Sequence, residues 1–476
     1  MIIEQLRGIV GEMGVFVSPG DLARYRSDSV HCAENGIICV VRPANTSEAA
    51  HVVAACHQAG VALVPRGGGT GFAGGSLPIA GQNVVVVSLE RMRRIRSVDT
   101  VGDVLVADAG CALYEVQQAA IAAGRVLGLD HGGAGSSCIG GNIATNAGGN
   151  NVVRYGMARD QVLGIEAVLA DGSILGPPSV LRKCNAGYDL RHLLTGSEGT
   201  LALITAVALK LRPAPIACAT AILGVASPQA AVELLSLAKL VLGEAVSAFE
   251  LMSRPAMEFH FAHVGAKREP LDIETPWLVL LECESTSRFM DLDAAFQALF
   301  EQALAGGLVQ TGSLAASVAQ RRAMWALREG IAIAMGEAKY HIVKTDTAVP
   351  IGSVPEFIRR VESTISSSAR GSRSMYFGHV GDGNIHLNIL PPPDMADAEF
   401  RRRSKGLSSL VDEVALALGG TVSAEHGIGQ GKREALKRML STTELALMRA
   451  VKRAFDPDGV FNPGKIIAVD AMQSEE

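Results

Sequence analysis

Between Gly132 and Gly156 the chain runs GGAGSSCIGGNIATNAGGNNVVRYG, all glycine, apolar or small polar residues but for Arg154 and Tyr155. A polar loop facing water would normally carry Lys and Glu. Small, uncharged hydrogen-bonding residues instead let backbone pack closely round a large, flat, polar ligand. A second run has the same character: VALVPRGGGTGFAGGS (Val61–Ser76) passes from an apolar stretch through Pro65 into closely spaced glycines. Such a loop bares N–H groups without Cβ obstruction, which suits a pyrophosphate and suits a plain turn equally well. No G-K-[ST] follows, so it is not a Walker A loop. SLPIAGQ follows in place of an apolar-periodic helix, so it does not match the dinucleotide fingerprint either. A third segment, Asn185–Pro213, passes through Gly-Ser-Glu-Gly and ends in a long β-like run.

A different chemistry is written in FGHVGDGNIHLNI, from Phe377 to Ile389. A lone His in a strand is usually a packing residue. Here Gly381-Asp382-Gly383-Asn384 has tight-turn chemistry, and MYFGHV and IHLNI suit the strands on either side. That turn pairs Val380 with Ile385 and His379 with His386, whose Cβ atoms are then about 4.5–5.5 Å apart on one face. Two such imidazoles can share a metal ion, with Asn388 on the same face. A third ligand must come from elsewhere. In SAEHGIGQGKR, Glu425 and His426 follow a short run, TVSAE, and point to opposite sides if it is extended. By themselves they read as a surface pair. In QRRAMWALREGIAIAM a helix puts Met324, Leu327, Ile331 and Met335 on its apolar stripe, and Arg328 falls on that stripe. An inward Arg has an anionic partner, either a structural carboxylate or a ligand.

With 476 residues the chain has room for two or three domains. A net charge of −5 gives no sign of a nucleic-acid or anionic-membrane surface. The chain has no uninterrupted apolar run of about 18 residues. The start, MIIEQLRGIVGEMG, lacks the apolar core of a signal peptide. Eight cysteines without a C-x-x-C fit a reducing cytoplasm. No internal repeat is evident. The polar tail AVDAMQSEE is expected to fray.

Taken together, VVRPANTSEAAHVV (Val40–Val53), PRGGGTGFAGGS, IGGNIATNAGG (Ile139–Gly149), TGSEGTLALIT (Thr195–Thr205) and FDPDGVFNPGKI (Phe455–Ile466) resemble the vanillyl-alcohol oxidase superfamily. The resemblance runs from about residue 35 to 466. Within that superfamily the chain is similar to the FAD-linked 2-hydroxy-acid dehydrogenases. This branch includes D-2-hydroxyglutarate dehydrogenase, D-lactate dehydrogenase and the FAD subunit of glycolate oxidase. The resemblance implies an α+β fold: a PCMH-type FAD-binding domain of two subdomains, an antiparallel-sheet substrate (cap) domain backed by helices, and a C-terminal segment returning to the flavin. The expected boundaries are an N-terminal helical segment over 1–34, the FAD domain over 35–215, the substrate domain over 216–420 and the catalytic C-terminal segment over 421–476. The break falls near Pro213-Ala214-Pro215.

The same resemblance implies the site. Cofactor contacts are expected in the first loop from Pro65, Arg66, Gly67, Gly68, Gly69, Thr70, Gly71, Gly74 and Ser76. In the second they come from Gly135, Ser136, Gly140, Gly141, Asn142, Ala144, Thr145, Asn146, Gly149, Tyr155 and Gly156, and beyond it from Glu198, Gly199, Ile204 and Asn462. The FAD is expected to be non-covalent, because the first loop lacks His and Cys138 reads as a packing residue. His131 stands out in the second loop without an evident role. His379, His386 and Glu425 would bind a divalent metal, with Zn²⁺ ahead of Mn²⁺ or Fe²⁺, and His426 would be the base. Arg328 and Lys344, in KTDTAVP, would bind substrate carboxylate, beside Asn388. The 2-hydroxyglutarate branch carries a hydroxyl residue four positions after this Arg, where the chain has Ala332.

The implied reaction is oxidation of a D-2-hydroxy acid, D-2-hydroxyglutarate ahead of D-lactate or glycolate, by hydride transfer to flavin N5. Metal lowers the pKa of the hydroxyl, and a neutral imidazole takes its proton. The electron acceptor would be an electron-transfer flavoprotein, a quinone or a cytochrome, and a homodimer would be ordinary. Two other readings compete: a metal-dependent hydrolase, which leaves the glycine loops unexplained, and a non-catalytic subunit with a flavin fold.

Overall fold

The computed structural model describes residues 2–265 and 270–467. The tail AVDAMQSEE lies outside the described residues. By its internal contacts the chain divides into two compact units. One comprises 1–148, 156–214 and 425–476; the other comprises 149–155 and 215–424.

The first unit holds two sheets. In one, the order is Val15–Phe16, Ile37–Val41, Val84–Ser88, Ala62–Arg66, and the last three strands are parallel. Parallel neighbours need a crossover. Helix Thr46–Gln58 carries the chain from Ile37–Val41 over to Ala62–Arg66, leaving the place between them to Val84–Ser88; Asn45 starts the helix, its side chain accepting from the Glu48 N–H. The second sheet is antiparallel, in the order Ile95–Asp99, Val104–Asp108, Leu203–Lys210, Val162–Val168, Ile174–Leu175. Both sheets contribute to one apolar core, for example Val85 and Val87 from the first, and Leu105 and Val207 from the second. The C-terminal segment joins that core: Phe461 is fully buried and bridges to Leu63.

The second unit is built on one antiparallel sheet of eight strands. Its order is Thr311–Leu314, Ala217–Val225, Trp277–Ser285, Val246–Ser253, Arg373–Gly378, Asn384–Leu390, Val343–Lys344, and Thr347–Ala348 also pairs with Asn384–Leu390. Alternate residues of each strand feed apolar clusters on opposite faces. One face packs on helices Pro228–Leu242, Leu292–Ala305, Val354–Ser368 and Leu407–Ala417. The other packs on Arg254–Val264 and Val318–Glu337, so the α+β architecture expected from the resemblance holds.

Two local expectations are corrected. The hairpin register is Phe377 opposite His386 and Met375 opposite Asn388, two residues off the expected pairing of His379 with His386. The loop takes in 379–383 and Asn384 opens the second strand. The cause is local: the His379 carbonyl accepts from both Asp382 N and Asn384 N, which closes the loop early. HIVKTDTAVPI makes two short strands, Val343–Lys344 and Thr347–Ala348. TVSAE forms no regular strand and keeps a single bridge, Ala348 with Thr421.

Candidate functional site

In the first unit the three glycine segments converge. Gly68 lies so near the second loop that a Cβ would overlap the Ser136 carbonyl. A Cβ on Gly67 would sit 3.2 Å from Cys138, and one on Gly199 would sit 3.1 Å from the Pro65 ring. This packing holds three loops together through backbone. Thr145 and Asn146 belong to the same turn. The Thr145 hydroxyl donates to the Gly141 carbonyl and the Asn146 Oδ1 accepts from Arg159 N. His131 now has a role. Its Nδ1 accepts from Gly133 N, so its Nε2 carries the proton and donates to Asn142 Oδ1 at 3.2 Å. The ring ties the second loop to helix Ile139–Ala144. Cys138 is buried, and burial pushes its thiol up to about 11, as befits a packing residue.

Several charged groups here are spent on the fold. Arg66 is buried and donates to the carbonyls of Arg24, Tyr25, Ser27 and Ser76. Glu198 accepts from Ile428 N and Gly429 N, both at 2.7 Å, and so clamps the C-terminal loop to the third segment. Burial raises its pKa, opposed by those two amides and by Lys432 and Lys465. Asn462 donates to the carbonyls of Gly75 and Glu198. His426 stacks on Phe72 of the first loop, with ring centroids 4.5 Å apart. Gly149 and Tyr155 fall in the second unit, where the Tyr155 hydroxyl donates to Glu284.

The loops fit a large polar cofactor. Ser76 Oγ, Ser197 Oγ and Asn462 Oδ1 are buried without a hydrogen-bond partner. A Cβ on Gly71, Gly135 or Gly141 would meet open space. Buried polar atoms rarely stay unpaired, so these mark where ligand atoms belong.

In the second unit the imidazoles of His379 and His386 lie edge to face, with centroids 5.6 Å apart. Each Nδ1 is backed by a buried carboxylate. Glu250 Oε1 is 2.6 Å from His379, and Asp346 Oδ1 is 3.9 Å from His386. Glu250 is 0% exposed, and its other oxygen accepts from Arg328 Nε at 2.7 Å. Burial alone would raise its pKa, but His379 and Arg328 more than offset that and hold it well below the ordinary carboxylate range. Arg328 is 5% exposed and lies 4.7 Å from the Phe377 ring centroid. Asn388 is 2% exposed and its Nδ2 has no partner. Lys344 pairs across the strands with Asn388, and its Nζ is 3.4 Å from the Met335 carbonyl. Ala332 is exposed one helical turn beyond Arg328.

Ala424 ends the second unit's chain, with its N–H on the Asp346 carbonyl at 3.3 Å, and Glu425 is the next residue. An imidazole hydrogen-bonded to a carboxylate, as His379 is to Glu250, is the usual setting of a metal ligand, since the carboxylate fixes the ring's tautomer and direction. The donor set therefore fits a divalent cation. A further cluster, Cys218, Glu282 and Glu284, is already satisfied by Thr220, Trp325 and Tyr155.

Sequence reasoning missed Glu250 and Asp346. For Glu250 a signal existed: VSAFELMS is buried throughout and carries one charge. A charge in such a strand needs a partner.

Residues 37–176 match the family model of the FAD binding domain, and residues 214–466 match that of the FAD linked oxidases, C-terminal domain. The fold is shared with p-cresol methylhydroxylase with substrate bound, at TM-score 0.77 and 15% identity, covering 98% of this chain and 97% of that one. It is also shared with alkyldihydroxyacetonephosphate synthase, at TM-score 0.74 and 17% identity, covering 97% and 84%. The class is thus an FAD-dependent oxidoreductase with the fold of the vanillyl-alcohol oxidase superfamily. The chain is 36% identical over 457 residues to the mitochondrial D-2-hydroxyglutarate dehydrogenase of Bos taurus, covering 96% of this chain and 82% of that protein. It is 34% identical to the D-2-hydroxyglutarate dehydrogenase of Xanthomonas citri pv. viticola, covering 98% and 96%. The chain belongs to the FAD-dependent D-2-hydroxy-acid dehydrogenases, as its motifs led one to expect. Among the described residues no helix is long and apolar enough to cross a membrane.

Proposed function

We propose that this enzyme oxidises D-2-hydroxyglutarate to the 2-oxo acid with the help of a divalent metal. The observation that carries the metal is the His379–His386 pair, with His379 hydrogen-bonded to buried Glu250 and Asp346 3.9 Å from His386, beside the unpaired amide of Asn388. FAD held by the glycine loops supplies the hydride acceptor. A divalent cation would be held by His379, His386 and Glu425 and would supply Lewis acidity at the substrate hydroxyl.

The chain's own residues divide the remaining work. Arg328 and Lys344 bind carboxylate. The Asn388 Nδ2 donates to a substrate oxygen, which gives that buried amide its missing partner. His426, its ring oriented by stacking on Phe72, takes the hydroxyl proton. The choice of 2-hydroxyglutarate rests on the names of the relatives and on two cations for two carboxylates.

Anaerobic flavin bleaching tests this. D-2-hydroxyglutarate should bleach the 450 nm band of the flavin, EDTA should abolish the bleaching, and Zn²⁺ or Mn²⁺ should restore it. Bleaching that survives complete metal removal would sink the metal reading. Faster bleaching by D-lactate, D-malate or glycolate would sink the substrate assignment alone.

A further inference from the structure

The central strand Val246–Ser253 is laddered on both sides, to Trp277–Ser285 and to Arg373–Gly378. It therefore holds Glu250 on a rigid element. An Arg–carboxylate pair is strongest when two parallel hydrogen bonds join fork to fork. Glu250 and Arg328 do not use that geometry. Arg328 gives Glu250 only its Nε, at 2.7 Å, and the second carboxylate oxygen goes to His379 Nδ1 at 2.6 Å. Among the described residues no acceptor takes the Arg328 Nη groups. One sealed carboxylate thus fixes two side chains whose other polar atoms are directed elsewhere.

We propose that Glu250 is a shared positioning residue for the reaction, a role that rests on the function proposed above. Its Oε1 keeps the proton on His379 Nδ1 and so presents the Nε2 lone pair to a cation. Its Oε2 anchors Arg328 so that the Nη fork is presented to a substrate carboxylate. A change at Glu250 therefore alters metal affinity and substrate affinity together, although it touches neither ligand.

The test uses the full-length flavoprotein with Glu250→Gln, which keeps the shape and loses one of the two contacts whichever way the amide turns. Flavin content should match wild type. Zn²⁺ affinity, read by chelator competition, should fall about 10–100-fold. The KM for D-2-hydroxyglutarate at saturating Zn²⁺ should rise about tenfold, as for loss of one charge-assisted contact. Adding Arg328→Met to Glu250→Gln should raise KM little beyond Arg328→Met alone, since the two act on one contact. Glu282→Gln, a buried carboxylate on the neighbouring strand held by Thr220 and Trp325, controls for generic cost and should change neither quantity. A Glu250→Gln flavoprotein with wild-type Zn²⁺ affinity and wild-type KM overturns the proposal. Should that variant not fold, Glu250→Asp is measured in the same way. If neither yields soluble flavoprotein, Glu250 is a structural ion-pair residue and the proposal is overturned. Wild-type protein that binds no divalent cation refutes the metal reading itself, and Glu250 is then judged on KM through Arg328.

Discussion

The buried cations of the two units have different partners. In the flavin unit the buried cations staple backbone. Arg66 donates to four carbonyls, Lys452 to those of Thr200 and Phe461 as well as to the Asp456 carboxylate, and Lys465 to the Leu77 carbonyl. The atoms left over for a ligand are neutral: amides, hydroxyls and an Asn oxygen. In the second unit buried Arg328 is tied through Nε to the Glu250 carboxylate, whose other oxygen meets His379. A large cofactor with many neutral edges is held by backbone. On the function proposed above, a small dianion and a cation would be held by charged side chains.

The largest effect that tests this contrast is Gly68→Ala. The new Cβ would overlap the Ser136 carbonyl, and neither backbone can yield without moving a loop. The strain lies at or above the upper end of the about 1–3 kcal/mol typical of overpacking. Loss of most bound flavin is expected, read as the ratio of 450 nm to 280 nm absorbance. The counterpart is His386→Ala, which should keep that ratio and lose the metal. If both variants keep flavin, or both lose it, the two units do not divide the labour as described.

The contrast also explains what could be read from the chain. A backbone cradle must be written in glycine and small polar residues, so the loops around Gly68, Gly135 and Gly199 were legible in one dimension. The two histidines were legible because both lie in one hairpin. The register was not. Gly378 stands at φ 150°, and the Asn384 side chain bonds the Thr347 carbonyl at 2.9 Å, so this Asn, which suits a turn, opens a strand. For Glu250 the lone charge in an apolar strand was legible, but its partners were not. It meets Arg328 and His379 across 78 and 129 residues of sequence, and only the sheet order brings them together.

A smaller effect probes the stapling cations. Burial, with Arg433 near, pulls the Lys465 ammonium down to about 8, and Glu198 opposes this only in part. The unfolded chain keeps a Lys protonated up to about 10.4. Between these values the unfolded state binds the extra proton, so stability should rise with pH. The full difference is roughly 3 kcal/mol. Urea midpoints from pH 7 to 10 should climb in wild type relative to Lys465→Met. Parallel profiles would mean that the ammonium is not penalised in the fold.

The smallest expected effect concerns the dianion. Ala332 follows Arg328 by four residues, so it occupies the same helix face one turn on. It is exposed, whereas Arg328 and its neighbours Leu327 and Ile331 are buried. A hydroxyl there would sit beside the Arg328 guanidinium and could donate to the far carboxylate of a five-carbon substrate. One such hydrogen bond contributes about 1 kcal/mol, close to a fivefold change in affinity. Ala332→Thr should therefore lower the KM for D-2-hydroxyglutarate about fivefold and leave that for D-lactate unchanged, because lactate has no second carboxylate. The helix loses a few tenths of a kcal/mol by gaining a β-branched residue, too little to confuse the comparison. A gain for both acids would put the near carboxylate at Arg328 and move the far one towards Lys344. A gain for neither would mean that the substrate does not extend along this face of the helix.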